Sequence, residues 1–217
     1  MNPTTVEQFS QNELKTVYSV NGNRTDGKSK GCYSKGEKWL SKDKKSITNY
    51  PGQHHCASQL AKYFPKEFKV YAEPFCGKAR TAKYAQDVCG QENMILFDLG
   101  DWALEYCKKT FPKANVYKIG FTDSIEQLRK MDDVFMFIDP PWYSFPAYVM
   151  TNSIKEYYNQ VLEILERPGT VCKWMIVASI KKDRVLINSK YPNEVIYNDH
   201  GATMNGGLIG VRFIKNY

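Results

Sequence analysis

The chain has 217 residues, of which 42% are hydrophobic and 24% charged, and its formal net charge is +7. That length and balance suit one domain with a full hydrophobic core and exclude a disordered chain. No apolar run approaches the ~18 residues of a membrane helix, and the polar N-terminus lacks a signal-peptide core, so a soluble intracellular protein is expected.

Residues 1–49 are polar, weakly periodic and rich in Gly, Ser, Asn and Lys, and read as a basic arm or cap ahead of a domain over 50–217. Arg24, Lys28, Lys30, Lys35, Lys38, Lys42, Lys44 and Lys45 are opposed only by Asp26, Glu37 and Asp43. Such a run is either a solvated face or a phosphate-contacting arm, with Lys38, Lys42, Lys44 and Lys45 the candidate contacts. Beyond Tyr50-Pro51-Gly52 the texture changes. Leu60, Tyr63 and Phe64 have helical spacing, 69–73 reads as a strand, and Gly77 opens an expected helix to about Val88. Met94-Ile95-Leu96-Phe97 is a buried strand ending at Asp98. A helix follows with Trp102, Tyr106 and Phe111, then a strand over 115–119 and a short helix marked by Ile125 and Leu128.

Val134-Phe135-Met136-Phe137-Ile138 gives the strongest strand signal and ends at Asp139. Ile154, Tyr157, Tyr158, Val161, Leu162 and Leu165 form an amphipathic stripe, stopped by Pro168-Gly169. A strand over 174–178 and a closing antiparallel pair over 194–197 and 208–214 complete the chain. Alternating strands and helices predict an α/β fold: a mostly parallel, doubly wound sheet with a C-terminal antiparallel pair. Ligands of such sheets bind beyond the strands' carboxyl ends, where Glu73, Asp98 and Asp139 are expected.

Six cysteines stand at 32, 56, 76, 89, 107 and 172, no two spaced as CxxC, so reduced thiols and no metal site are expected. The segment Asp139-Pro140-Pro141-Trp142 holds more chemistry. Two prolines remove two N–H donors and leave carbonyls as acceptors. With the Asp139 carboxylate and the Trp142 plane they suit a flat ring bearing an NH2 group. Two acceptors on its N–H bonds would favour a tetrahedral nitrogen with a free lone pair. The alternative is a rigid turn. In Glu73-Pro74-Phe75-Cys76-Gly77, Gly77 permits close backbone approach to a ligand, or makes an ordinary strand–helix turn. Asp98, about 20 residues on, stands where these folds bind ribose hydroxyls.

Tyr50-Pro51-Gly52-Gln53-His54, Tyr71 to Gly77, Asp98, and Phe137 to Trp142, in that order, resemble the Dam-like DNA adenine N6-methyltransferases; the likeness covers about residues 50–145 and extends loosely to the C-terminus. It implies a class I methyltransferase fold with S-adenosylmethionine as cofactor, DNA as partner with RNA as the alternative, and a cytoplasmic protein of a prokaryote, virus or phage. On that resemblance Glu73, Phe75 and Gly77 form the cofactor turn, Asp98 binds the ribose, Tyr50, Gly52 and His54 line the methionine end, and Asp139, Pro140, Pro141 and Trp142 hold a flipped adenine. Phe121 flanks the cofactor or packs in the core. Three departures stand out. Ala79 replaces the turn's second glycine, His54 replaces a lysine, and the roughly 40 residues from Asp98 to Asp139 leave no room for a recognition insertion. Recognition is then expected from the basic arm, from 143–152, from a partner subunit or from a second copy. A catalytically silent nucleic-acid-binding subunit is the non-enzymatic alternative.

Overall fold

The computed structural model describes residues 57–141, 154–179, 189–202 and 208–217. The expectations for Lys38, Lys42, Lys44, Lys45, Tyr50, Gly52, His54, Trp142 and 143–152 lie outside these residues. In chain order the elements are α1 (Ala57–Ala61), β1 (Val70–Pro74), α2 (Ala82–Cys89), β2 (Met94–Asp98), α3 (Asp101–Thr110), β3 (Asn115–Lys118), α4 (Phe121–Leu128), β4 (Val134–Ile138), α5 (Ile154–Leu165), β5 (Lys173–Ser179), β6 (Asn193–Ala202) and β7 (Leu208–Lys215). No helix among the described residues is long and apolar enough to cross a membrane.

The strands form one seven-stranded sheet in the order β3-β2-β1-β4-β5-β7-β6. Pairings from β3 to β5 are parallel, whereas β7 runs antiparallel to both β5 and β6. This is the doubly wound sheet with an antiparallel closing pair that the sequence predicts. Apolar runs on the central strands bury both faces. Val70, Ala72, Met136, Ile138, Trp174 and Ile176 pack with Ile125 of α4 and Tyr157, Tyr158 and Val161 of α5. Tyr71, Leu96, Phe135, Phe137, Met175 and Val177 pack on the other face with Ala82 and Ala85 of α2 and Cys107 of α3. The chain winds outward from β1 through β2 to β3, then returns to place β4 on the other side of β1. Ligand crevices open at such a reversal, outside the carboxyl ends of the two strands.

One boundary differs usefully from expectation. The helix read from Gly77 begins five residues later, at Ala82. Phe75, Gly77 and Ala79 all have positive φ, at 63°, 49° and 45°, so the chain makes an irregular turn before it can enter a right-handed helix.

Candidate active site

The first half of the site is the turn between β1 and α2. Pro74 ends the strand, and the turn is then fastened to β2: Cys76 N–H donates to the Phe97 carbonyl at 2.9 Å, and Gly77 N–H to Asp98 Oδ2 at 2.9 Å. Asp98 Oδ1 accepts from Gly100 N–H at 2.8 Å. One carboxylate thus ties together the turns that follow β1 and β2. Burial raises the Asp98 pKa, against the lowering by the Gly100, Gly77 and Leu99 N–H groups. The residue stays half-exposed, and a carboxylate offers about four acceptor positions, so these N–H groups leave capacity for a ligand hydroxyl.

Gly77 at φ 49° is where such a turn wants glycine. Ala79 adopts the same left-handed region although it carries a Cβ and is fully buried. The departure from the resembled pattern is accommodated as backbone strain of roughly 1–2 kcal/mol. Phe75 at φ 63° is the more unusual case, because a bulky residue there is a rare conformation. Its ring stacks on Phe121, with centroids 5.0 Å apart, and meets Tyr157 edge-on at 5.6 Å. Phe121, the first residue of α4, meets Tyr157 edge-on at 5.3 Å. Phe121 is 6% exposed and belongs to the core, while Phe75 stays half-exposed over it.

Glu73 lies inside β1 and is fully buried. Its Oε2 accepts from the Tyr71 hydroxyl at 2.6 Å and its Oε1 from the Thr81 hydroxyl at 3.0 Å. Thr81 stands at the N-cap of α2 but makes no side-chain cap, because its hydroxyl is engaged by Glu73. Glu73 therefore spans the turn from base to base. Lys78, inside the turn, is 1% exposed, with Nζ 5.7 Å from the Tyr106 ring centroid. Burial first, then the Arg80 charge, lowers its ammonium to about 8. The Cys76 and Cys107 thiols lie 3.8 Å apart beneath the turn, and both are free.

The second half lies at the end of β4. The β4–β5 ladder stops at the pair Ile138↔Ile176, where two prolines with no N–H follow Asp139. Asp139 and Pro141 are half-exposed and Pro140 is buried. The Tyr158 hydroxyl of α5 reaches this corner, 3.1 Å from the Val177 carbonyl and 3.4 Å from the Pro140 carbonyl. Burial first, then the Asp139 charge, raises the Tyr158 phenol well above its ordinary value.

The structure thus couples Gly77 to Asp98 by a hydrogen bond and Phe75 to Phe121 by ring stacking. Two consecutive residues of α5 join the halves: Tyr157 touches the Phe75–Phe121 pair and Tyr158 reaches Pro140. In the sequence both tyrosines read only as part of the helix's apolar stripe. That reading is true of their packing but silent about the hydroxyl of Tyr158. Thr81 and Lys78 also escape a sequence reading, since nothing in their spacing marks them as buried.

No family model matches the chain, and no curated protein matches it either. Solved structures do. A provisionally named rRNA methylase from Clostridium thermocellum is 14% identical, covers 76% of this chain and 99% of its own, and has a TM-score of 0.51. A Thermoplasma acidophilum protein is 11% identical, covers 76% of this chain and 86% of its own, and has a TM-score of 0.50. A provisionally named methyltransferase from Streptococcus mutans, solved in complex with SAH, is 14% identical, covers 76% and 99%, and has a TM-score of 0.47. At these identities the likeness is one of fold: the chain has the Rossmann-like fold of class I methyltransferases.

Proposed function

We propose that this chain is an S-adenosylmethionine-dependent methyltransferase acting on the exocyclic N6 amino group of adenine in DNA. The observation that carries the reading is the arrangement at the carboxyl ends of β1 and β4, where the strand order reverses. A strained turn clamped by a strand-end carboxylate stands on one side and an Asp-Pro-Pro corner on the other, with one helix touching both. The residues present fit a nucleoside cofactor. Asp98 keeps acceptor capacity for ribose hydroxyls, Gly77 admits close approach of the backbone, and half-exposed Phe75 offers an aromatic face. When bound, S-adenosylmethionine supplies an electrophilic sulfonium methyl group.

The chain's own contribution is to present the nucleophile. The Asp139 carboxylate and the Pro140 carbonyl accept the two N–H bonds of the target amino group, which localises the nitrogen lone pair. Trp142, three residues past Asp139, supplies the stacking plane. Rate then comes from positioning and fixed dipoles rather than from covalent catalysis.

RNA is the second reading. The Clostridium thermocellum protein is named for rRNA methylation, and the short span between Asp98 and Asp139 lacks a DNA-recognition insertion. The deciding experiment is mass spectrometry of modified nucleosides in DNA and RNA from a host producing the chain, with Asp139→Ala as control. N6-methyladenine in DNA that requires Asp139 is the expected result. The same mark confined to RNA selects the second reading, and a mark undiminished by Asp139→Ala removes Asp139 from the reaction.

A further inference from the structure

Proline has consequences for the strand as well as for the site. Inside a parallel ladder each carbonyl is held by a neighbouring N–H, and that holding fixes its direction. Pro140 and Pro141 carry no N–H, so the β4–β5 ladder cannot extend through them, and it ends at Ile138↔Ile176. The Pro140 carbonyl on the β4 side and the carbonyl of Val177, a β5 residue paired with Phe213 of β7, lie beyond the last residues paired between β4 and β5. The group found between them is a side-chain hydroxyl. Tyr158 is 2% exposed, and its oxygen lies 3.1 Å from the Val177 carbonyl and 3.4 Å from the Pro140 carbonyl.

We propose that Tyr158 is a positioning residue for methyl transfer: its hydroxyl takes over where the backbone ladder ends and fixes the Pro140 carbonyl at the corner that receives the target amino group. The inference rests on the reading given under Proposed function and names a part of that site.

Three observations support it. One hydroxyl proton shared between two carbonyls makes a three-centre bridge, so the contact cross-links β4's end to β5. The phenol is held well above its ordinary ionisation range by burial and then by the Asp139 charge. It therefore remains a donor across the working pH range. Finally, α5 is anchored at the same level by Tyr157 against Phe75 and Phe121. The hydroxyl is carried on a helix already packed against the cofactor turn, and rigid elements hold reacting groups better than loops do.

Tyr158→Phe removes the oxygen and keeps the ring. In the full chain it is expected to lower kcat about tenfold or more, as small misplacements of a reacting group do. Affinity for S-adenosylhomocysteine, measured by calorimetry, should stay within about twofold, because that group sits at the other half of the site. Leu165→Ala, two turns further along α5 and 1% exposed, serves as the stability control. It should lower the melting temperature by at least as much as Tyr158→Phe yet keep kcat at a temperature where it is folded. A Tyr158→Phe enzyme with wild-type kcat overturns the proposal. So does a loss of kcat that Leu165→Ala reproduces, since the hydroxyl would then serve the core alone. Asp139→Ala, assayed in parallel, separates the two failures. If it abolishes transfer while Tyr158→Phe does not, only the positioning role falls; if it is fully active, the underlying reading falls with it.

Discussion

Phe75 and Ala79 occupy backbone conformations that their side chains resist, and they flank Gly77. Phe75 and Ala79 sit at positive φ in a turn whose pins are Asp98, the Phe97 carbonyl and the Glu73–Thr81 bridge. Strain of this kind persists where the surroundings over-determine the backbone, and it gathers at binding sites. For Ala79 it yields a signed prediction. In an ordinary buried position Ala→Gly lowers stability by about 1 kcal/mol through chain entropy and the missing methyl. Here relief of roughly 1–2 kcal/mol of left-handed strain opposes that loss. Ala79→Gly is expected to be neutral or to raise stability by up to ~1 kcal/mol in urea titrations. A loss of about 1 kcal/mol would show that the turn relaxes around alanine without strain.

Among the elements, α4 is held at its far end by charge. Arg129 donates to both oxygens of Glu126, at 2.9 and 2.6 Å, and to the Pro168 carbonyl at 3.1 Å. Arg167 adds a bond to Glu126 Oε2 at 3.1 Å. The cluster ties α4 to the loop after α5, below the sheet end that carries the site. The Arg129 hydrogen bond, the largest cause, together with Lys130, lowers the Glu126 carboxyl from 4.5 to about 2, against an opposing desolvation effect. A carboxyl whose folded pKa lies below its unfolded one stabilises fully above the unfolded value and loses that contribution as pH falls through the folded value. The window is therefore from pH 4.5 down to about 2. The stability difference between wild type and Glu126→Gln, from thermal melts, should be constant above about pH 5 and shrink across that window. A difference that does not change with pH would mean that the ion pair contributes nothing.

The whole molecule carries a charge of +7, and much of its basic surplus falls between Arg24 and Lys45. For the proposed nucleic-acid target, those residues are the proposed phosphate contacts, and each such contact would release counterions on binding. Converting Lys42, Lys44 and Lys45 to glutamine should reduce the slope of log K against log salt by about one for each phosphate no longer neutralised, measured by fluorescence anisotropy. An unchanged slope would return the arm to a solvated role and shift recognition to another segment or a second subunit.

Local chemistry by itself determined a good deal of this protein. Apolar runs such as Val134 to Ile138 specify buried strands, the stripe from Ile154 to Leu165 specifies a helix, and their alternation specifies the doubly wound sheet, because period and burial are properties of neighbouring residues. The Asp139-Pro140-Pro141 corner is equally visible, since the missing N–H groups are a property of proline wherever it stands. Tertiary structure alone decided the rest. That Asp98 closes on Gly77, that Ala79 tolerates a left-handed backbone, and that Tyr158 of the stripe reaches Pro140 all depend on which strand ends the fold brings side by side. Residues that meet across some 20 positions of chain leave no periodic trace, because the sheet, and not the sequence spacing, sets the distance between them.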